Sequence, residues 1–527
     1  MEDNNTKQGW KRVNKATFVP PAILCLLIVV IGALIPEKLG ETMDFLLSVC
    51  TTYGGWFYAL GTTFLVIFCI WVAFSKYGKI KFGGKDAEPE MSTWKWFCIV
   101  LTSGMAAGIC YWCIAEPMDF YLNPPVFSGN EPASAEAAES ALRYVLTHWT
   151  LHPYAVYTAA AIGIAFMYWN CRKPFSISSA LYPLIGDKAT GGLRYWINAL
   201  CIFCLVAGLG TTLGLAIDQL TVGIQFVFGV TISKNLLAFI VCVAFAVIAT
   251  LVACSGLHKG VGMVSTMNMY IFIFLMVFAF LFGGTMFILN NTVTSIGQYF
   301  QNVIGQSFYL EPAHQSGWVN GWTIFYWAWW VAFAPLIGLF QVKLSKGRTV
   351  RQYVIVNMFV PCIFLAAWMG IFGSSAINMH FNEGITSVAE AISEWGSSVA
   401  FYAYLKEMPF SVIVIPIAIV AIIFSIVTQT EAEVLTISDL CVASDEELAK
   451  SDNLAPAPLK LFWGFTMSFL AFVLLLSGGL DAVQTASIVL GLPMLILILF
   501  MVAGTIKGFK NYKKYDQTLK EGEDYDD

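Results

Sequence analysis

The chain has 527 residues, 58% of them hydrophobic and only 12% charged, against about 25% charged in an ordinary soluble domain. This is the composition of a polytopic membrane protein, and no hydrophilic stretch is long enough to form a separate soluble domain. The net charge of −5 is modest and spread along the chain, so it carries no nucleic-acid or acidic-partner reading.

Spanning a bilayer takes about 20 mostly apolar residues. Twelve segments of that kind are predicted, centred near Leu27, Leu65, Met105, Ala160, Val206, Val243, Leu275, Trp330, Phe364, Val420, Ala471 and Leu495. The N-terminal stretch MEDNNTKQGWKRVNKATFVPP leads into the first of them with no small-residue cleavage site, so that span is expected to remain in the mature protein. Lys and Arg collect in alternate loops. They precede span one (Lys7, Lys11, Arg12, Lys15), join spans two and three (Lys76, Lys79, Lys81, Lys85), and join four and five (Arg172, Lys173, Lys188, Arg194). They recur between eight and nine (Lys343, Lys346, Arg348, Arg351) and after span twelve (Lys507, Lys510, Lys513, Lys514). The stretch from Asn290 to Trp318 has neither residue. By the positive-inside rule both termini are expected in the cytoplasm of a multi-pass cell-membrane protein. Thirteen cysteines lie mostly in apolar runs such as FCIV, ICYWC and CIFC, without metal-ligand spacing, and read as small buried side chains.

Span three, CIVLTSGMAAGICYWCIAEP, carries Ser103, Gly104, Ala106, Ala107 and Gly108 near its middle. These small residues have two readings, a groove for close helix packing or a broken helix whose freed backbone lines a site. Glu116 at its end is either a structural carboxylate at a helix end or a gate residue. Span four begins HWTLHPYAVY, which places Trp149, Tyr154 and Tyr157 on a broad arc of one helix, with Pro153 freeing backbone near its start. His148 and His152 are one turn apart, a spacing that suits a metal, yet no acidic third ligand is near and no metal site is expected. In span five Thr211 and Thr212 read equally as ion ligands or, beside Gly210 and Gly214, as a packing surface.

Span eight contains WTIFYWAWW. Trp322, Tyr326, Trp329 and Phe333 fall at offsets of four, seven and eleven and so share one helical face, with Trp330 beside them. An interfacial belt suits Trp322 but not Trp329, Trp330 and Phe333, which lie two to three turns deeper. Two aromatic faces on separate spans can form a box. Ring faces attract a cation that has no hydrogen bonds to give, at about 2 kcal/mol or more per desolvated contact. The ligand this favours is a quaternary ammonium. In span ten, Glu431 and Glu433 mark either an ion or proton path or a solvated cytoplasmic helix end. No P-loop is present, so direct ATP drive is not expected, and the tail KNYKKYDQTLKEGEDYDD mixes charge signs without forming a basic arm.

The run WTIFYWAWW, followed by FAPLIGLF and LSKGRTVRQY, closely resembles the signature of the betaine/choline/carnitine transporter family. HWTLHPYAVY, GMAAG, AEP and GTTLGLAIDQL resemble its other motifs. The resemblance runs from span one to span twelve. It implies an all-α fold with a LeuT-like core of two inverted five-helix repeats, residues 93–289 and 319–508. A cytoplasmic tail (1–16), two extra helices with a basic loop (17–92), an extracellular-side surface helix (290–318, with TSIGQYFQNVIGQSF) and a second cytoplasmic tail (509–527) complete the division. A homotrimer is also implied. Carried over position by position, Trp149, Tyr154, Tyr157, Trp329, Trp330 and Phe333 form the substrate box, Trp322 and Trp327 flank it, and Met105 touches the substrate from the unwound segment of span three. The family often has Trp or Tyr at Phe333 and Trp at Tyr154. Candidate ion-coupling residues for Na+ or H+ are Thr428, Gln429, Glu431, Thr211 and Thr212. Gln429 stands where the family has Ser and Glu431 where it has Asp, while Met269 holds the position at which sodium-independent exchangers carry a basic side chain. The expected function is alternating-access transport of a small trimethylammonium compound, glycine betaine, carnitine or a related zwitterion ahead of choline. An amino-acid or other amine carrier on the same architecture is the alternative. An embedded enzyme or a channel fits less well, because the spans offer few titratable groups.

Overall fold

The computed structural model describes residues 13–255, 261–442, 455–520 and 522–525; at some positions, residues 105–107 and 480–484 among them, only the backbone course is described. Among the described residues the chain is helical, with no strand beyond two isolated bridges, Val13–Val442 and Lys81–Thr349. The helices used below are α1 (Lys15–Leu34), α2 (Pro36–Phe74), α3 (Thr93–Leu122), α4 (Ala135–Trp149), α5 (Leu151–Ala165), α6 (Gly192–Phe228), α7 (Lys234–Ser255) and α8 (Val261–Phe282). They continue with α9 (Thr285–Phe308), α10 (Phe325–Lys343), α11 (Val360–Phe381), α12 (Ser387–Trp395), α13 (Ala400–Glu407), α14 (Ser411–Leu440) and α15 (Ala457–Lys510).

Eleven of the twelve predicted centres fall inside helices, and the third, Met105, falls at a bend within α3. By length and apolarity, nine described helices qualify as membrane spans, or ten when the two halves of α3 are taken as one. The fourth and sixth centres lie in shorter apolar stretches, the 15 residues of α5 and Lys234–Ile248. The halves of α3, Thr93–Gly104 and Gly108–Leu122, meet at 64°, so the small-residue segment is a break in the helix. The 54 residues of α15 are divided at Gly479, whose φ of 63° and ψ of −138° only glycine adopts without strain. That turn separates the eleventh and twelfth predicted spans.

Position in the bundle explains composition. α1 turns Ile23, Leu24, Leu26, Leu27 and Val30 outward, as a lipid-facing helix does. α10 is the opposite case, buried at every residue from Phe325 to Val342 and enclosed by α5 and α15 among its neighbours. A helix apolar all round belongs at such a centre. α9 buries one face, through Ile288, Asn291, Ser295 and Tyr299, and leaves Val293, Phe300 and Ile304 exposed. It begins at Thr285, five residues before the expected surface segment.

The basic loops lie together on one face. Backbone bonds join loop 76–85 to loop 343–351 (Phe82 N–H to Arg348 O, 3.0 Å; Val350 N–H to Ile80 O, 2.8 Å). Asn170, at the end of the helical run begun by α5, donates to Lys81 O (2.9 Å) and to Asp516 Oδ2 (2.9 Å), which brings in the C-terminal tail. Asn14 N–H donates to Cys441 O (2.7 Å), which adds the N-terminal end and the end of α14. Burial, with Asp516 alongside, holds the Tyr525 phenol in this cluster above its usual pKa range.

Because lipid tails are as apolar as the side chains, close backbone approach between small residues holds such helices together. A methyl group on Gly491 of α15 would lie 2.7 Å from the Ala328 carbonyl oxygen of α10 and 2.7 Å from the Tyr58 hydroxyl of α2. Gly491→Ala is therefore expected to destabilise the protein by about 1–3 kcal/mol through overpacking. Thermal unfolding followed with a thiol-reactive dye reads this directly, since eleven of the thirteen free cysteines are buried; an unchanged midpoint would mean the three helices separate without cost.

Candidate functional site

The aromatic residues predicted on span four belong to two helices rather than one. α4 ends at Trp149, Thr150 takes φ −107° and ψ −104°, and α5 starts at Leu151. Pro153 explains the break, because its ring lacks the N–H that would bond the Trp149 carbonyl and clashes with that group. Trp149 thus sits at a helix end, free to be aimed separately from Tyr154 and Tyr157. Ahead of α10, Asn320–Ile324 makes a π turn, and the one-residue shift it introduces sets the register of the rings that follow.

Glu116 is the polar centre of the site. Fully buried, it takes three donors: His148 Nδ1 lies 2.6 Å from Oε1, the Trp149 indole N–H donates to Oε2 at 2.7 Å, and the Tyr326 hydroxyl donates to Oε2 at 2.6 Å. On the other side of the ring, His148 Nε2 lies 3.0 Å from the Thr323 hydroxyl. Trp330 Nε1 donates to the His148 carbonyl at 3.1 Å. One carboxylate therefore ties α3, α4 and α10 together. Glu116, inside α3, which runs on to Leu122, is a buried junction that orients two aromatic rings.

The rings gather around this junction. Trp149 meets Trp330 edge to face with centroids 5.2 Å apart, and meets Trp329 at 6.5 Å. Trp329 and Trp330 stack at 4.5 Å, Trp330 stands perpendicular to Phe333 at 6.4 Å, Phe333 faces Tyr157 at 5.8 Å, and Tyr157 meets Tyr154 at 6.4 Å. All six are at most 1% exposed. Glycines supply the wall: a methyl on Gly108 would come within 3.0 Å of Trp149 and 3.3 Å of Trp329, one on Gly104 within 3.7 Å of Tyr157, and one on Gly208 of α6 within 3.4 Å of Phe333. The two ends of the break in α3 thus abut the rings. The Tyr154 and Tyr157 hydroxyls and the Trp329 indole nitrogen have no hydrogen-bond partner among the described residues, so the cluster presents polar tips as well as π faces.

The other predicted residues divide. The Met105 side chain lies outside the described residues. Trp322 packs on Trp112 and Phe120, and Trp327 stacks on His152 at 5.0 Å, so both flank the cluster. The two histidines have separate partners, His152 Nε2 lying 3.2 Å from the Ser307 hydroxyl, and no three metal-binding side chains converge among the described residues. The Thr211 and Ser487 hydroxyls bond at 2.7 Å across α6 and α15, while the Thr212 hydroxyl is buried with no hydrogen-bond partner among the described residues. Thr428 returns its hydroxyl to its own helix at Phe424 O, 2.8 Å. Met269 is fully buried. Glu431 and Glu433 are 0% and 2% exposed, which overturns the solvated-end reading: α14 extends past them to Leu440 and is covered there by neighbouring helices.

A cavity of about 410 Å3 opens at the end of α3 remote from the basic loops, lined by Phe127, Arg143, Tyr144, Tyr309 and Trp318. His148 and Thr323 also line it, so it reaches the same hydrogen-bonded layer that Glu116 anchors from within. Sequence reasoning singled out Glu116 and His148 but not the bond that joins them. The only signals were the Glu-Pro pair and the histidine beside Trp149.

Comparison with known proteins identifies the family. The model of the betaine/carnitine/choline family transporters matches residues 16–514. The chain is 35% identical to a probable glycine betaine transporter of Desulfitobacterium hafniense, over 95% of this chain and 98% of the relative. It is 33% identical to an ectoine/hydroxyectoine transporter of Virgibacillus pantothenticus, over 96% and 98%, and 28% identical to the high-affinity choline transport protein of Escherichia coli K12, over 97% and 74%. With the match running through every helix that builds the aromatic cluster, the chain belongs to the betaine/carnitine/choline family of membrane transporters.

Proposed function

We propose that the protein carries small trimethylammonium compounds across the cell membrane by alternating access, with glycine betaine, carnitine and related zwitterions ahead of choline. The observation that carries this reading is the cluster of Trp149, Tyr154, Tyr157, Trp329, Trp330 and Phe333, buried against the broken middle of α3 with three polar tips unpartnered. A quaternary ammonium has no hydrogen bonds to offer, so π faces attract it at low desolvation cost. The unpartnered hydroxyls and indole nitrogen suit the carboxylate or hydroxyl at the other end of such a molecule. Similarity to proteins named as glycine betaine and choline transporters supports the same substrate class. The ectoine relative motivates a second test ligand, a cyclic zwitterion without a quaternary centre.

The remaining architecture follows the same reading. Residues 93–289 and 319–508 are taken as the inverted repeats that rock against each other, with 17–92 as the two added helices and α9 as the surface helix of a homotrimer. Both termini are assigned to the cytoplasm with the basic loops. Substrate enters from the 410 Å3 cavity once the Glu116–His148–Tyr326 layer parts. Within this mechanism Trp149 and Trp330 bind, Glu116 and His148 orient their rings, and Gly108 admits them against α3. Thr428, Gln429, Glu431, Thr211 and Thr212 remain the candidate ion-coupling groups for Na+ or H+.

Two outcomes are expected. Trp330→Leu removes one desolvated ring face worth about 2 kcal/mol, so affinity should fall roughly 30-fold, read by calorimetry with glycine betaine, carnitine and choline on protein that still elutes as a single species. Full affinity for every one of these would remove the box from the mechanism. Glu116→Gln cannot accept from all three donors, and losing one charge-assisted bond worth about 1.5–3 kcal/mol should weaken binding at least tenfold without direct contact to substrate. Unchanged affinity would leave Glu116 a structural junction only.

A further inference from the structure

The six aromatic residues contain no charge to balance a bound ammonium, and the molecule holds one buried carboxylate near them that the mechanism has not used. Glu431 and Glu433 are two residues apart on α14, about 200° around the helix, so they address different surroundings. Glu431 lies within electrostatic reach of Lys460 on α15. Glu433, 2% exposed, lies on the same face as Gln429 one turn earlier, whose amide donates to Glu433 Oε1 at 3.3 Å. Oε2 of Glu433 and the side-chain oxygen of Gln429 are both buried with no hydrogen-bond partner among the described residues. The Tyr157 hydroxyl, unpartnered in the box, is within electrostatic reach of the Glu433 carboxylate.

Other ionisable groups on the elements around α14 are occupied or turned elsewhere. On α10, Lys343 bonds Asp439 at 2.6 Å; on α6, Asp218 pairs with Lys234 at 2.8 Å; on α13, Glu407 accepts from Ser387; on α3, Glu116 holds its three donors and Lys95 lies against Gly262. Tyr270 of α8 faces outward, and Cys254 of α7 lies near Lys460. Within the described residues Glu433 has no cationic side chain bonded to it. A carboxylate at this depth needs a proton or a cation to neutralise it, and the structure offers an amide and a phenol instead.

We propose that Glu433 is the exchangeable counter-charge of the substrate site: ionised when an ammonium occupies the box, and protonated when it is empty. This rests on the box reading above. The substrate's ammonium group and the proton are both positive and act on one low-dielectric region, so each weakens the other's binding, by the same factor in both directions. Loading substrate expels a proton from the Glu433 carboxyl, and release of substrate restores it, so one proton moves opposite to each ammonium. Gln429 holds the carboxylate in place in both states.

The test uses the full-length purified protein in weakly buffered detergent with a pH-sensitive dye, and glycine betaine and choline as probes. Wild-type protein should release close to one proton per substrate bound, and affinity should fall as pH is lowered, by up to about tenfold per pH unit where one proton is displaced. Glu433→Gln should bind without proton release and with a flat pH profile, and Glu433→Asp should restore both signatures. Binding by the wild type with no proton release, or with proton uptake, overturns the role of Glu433 even if no variant folds. Undiminished release in Glu433→Gln overturns it too. Failure of the wild type to bind either probe at any pH overturns the box first, and is distinguished by that absence of binding.

Discussion

The site depends on one buried carboxylate. Glu116 accepts from His148, Trp149 and Tyr326, and through His148 it reaches Thr323 and the outer cavity. Charge-assisted bonds of this kind, inside a protein where water does not compete, are strong and directional. They fix the planes of two rings whose usefulness depends on which way their faces point. An unpartnered Glu at this depth would be costly, so the three donors and the carboxylate hold one another in place.

That junction works because the helices carrying it are broken where they need to be. α3 bends at its glycines, α4 stops where Pro153 forbids continuation, and α10 enters through a π turn. Each interruption moves a side chain by an amount no straight helix allows. Trp149 leaves the direction of Tyr154, and Gly108 meets the two indoles at contact distance. Continuous helices would leave the same residues on separate surfaces. The interruptions occur inside protein, where freed backbone groups find partners, as they must away from water. The second half of α3 is also held from outside, its Ile109 and Cys110 carbonyls each taking an additional side-chain donor, the Trp368 indole of α11 at 3.1 Å and the Gln219 amide of α6 at 3.2 Å.

The two ends of the molecule are chemically distinct. One gathers the basic loops, the segments at Asn14 and Asp516, and Asn170 into a network of backbone and side-chain bonds. The other carries the aromatic cavity and the amphipathic α9, which bonds α4 through Gln306 and Thr147 at 2.6 Å. The aromatic cluster lies between them, beside α14 with its buried carboxylates. A carrier working by alternating access needs such a central site with dissimilar approaches.

Much of this was legible in the residues. The apolar segments located the helices, because about 20 residues must cross the hydrocarbon. The alternation of Lys and Arg grouped the loops that the fold brings to one face, and the 3.6-residue period put Trp322, Tyr326, Trp329 and Phe333 on one side of α10. The resemblance carried by WTIFYWAWW and HWTLHPYAVY selected the six box residues, which do assemble. Glu116 could be noticed but not assigned, since its donors lie 32, 33 and 210 positions away along the chain. Glu431 and Glu433 were open between a solvated end and an intramembrane path, because hydropathy cannot say which neighbours cover a helix turn; the fold buries both and separates them, one toward Lys460 and one toward Tyr157. By itself the sequence determined the helices, their family and the aromatic faces, properties set by local period and composition. Only the tertiary structure decided which buried polar atoms have partners and which have none among the described residues, because within a membrane those partners come from other helices and no local pattern records them.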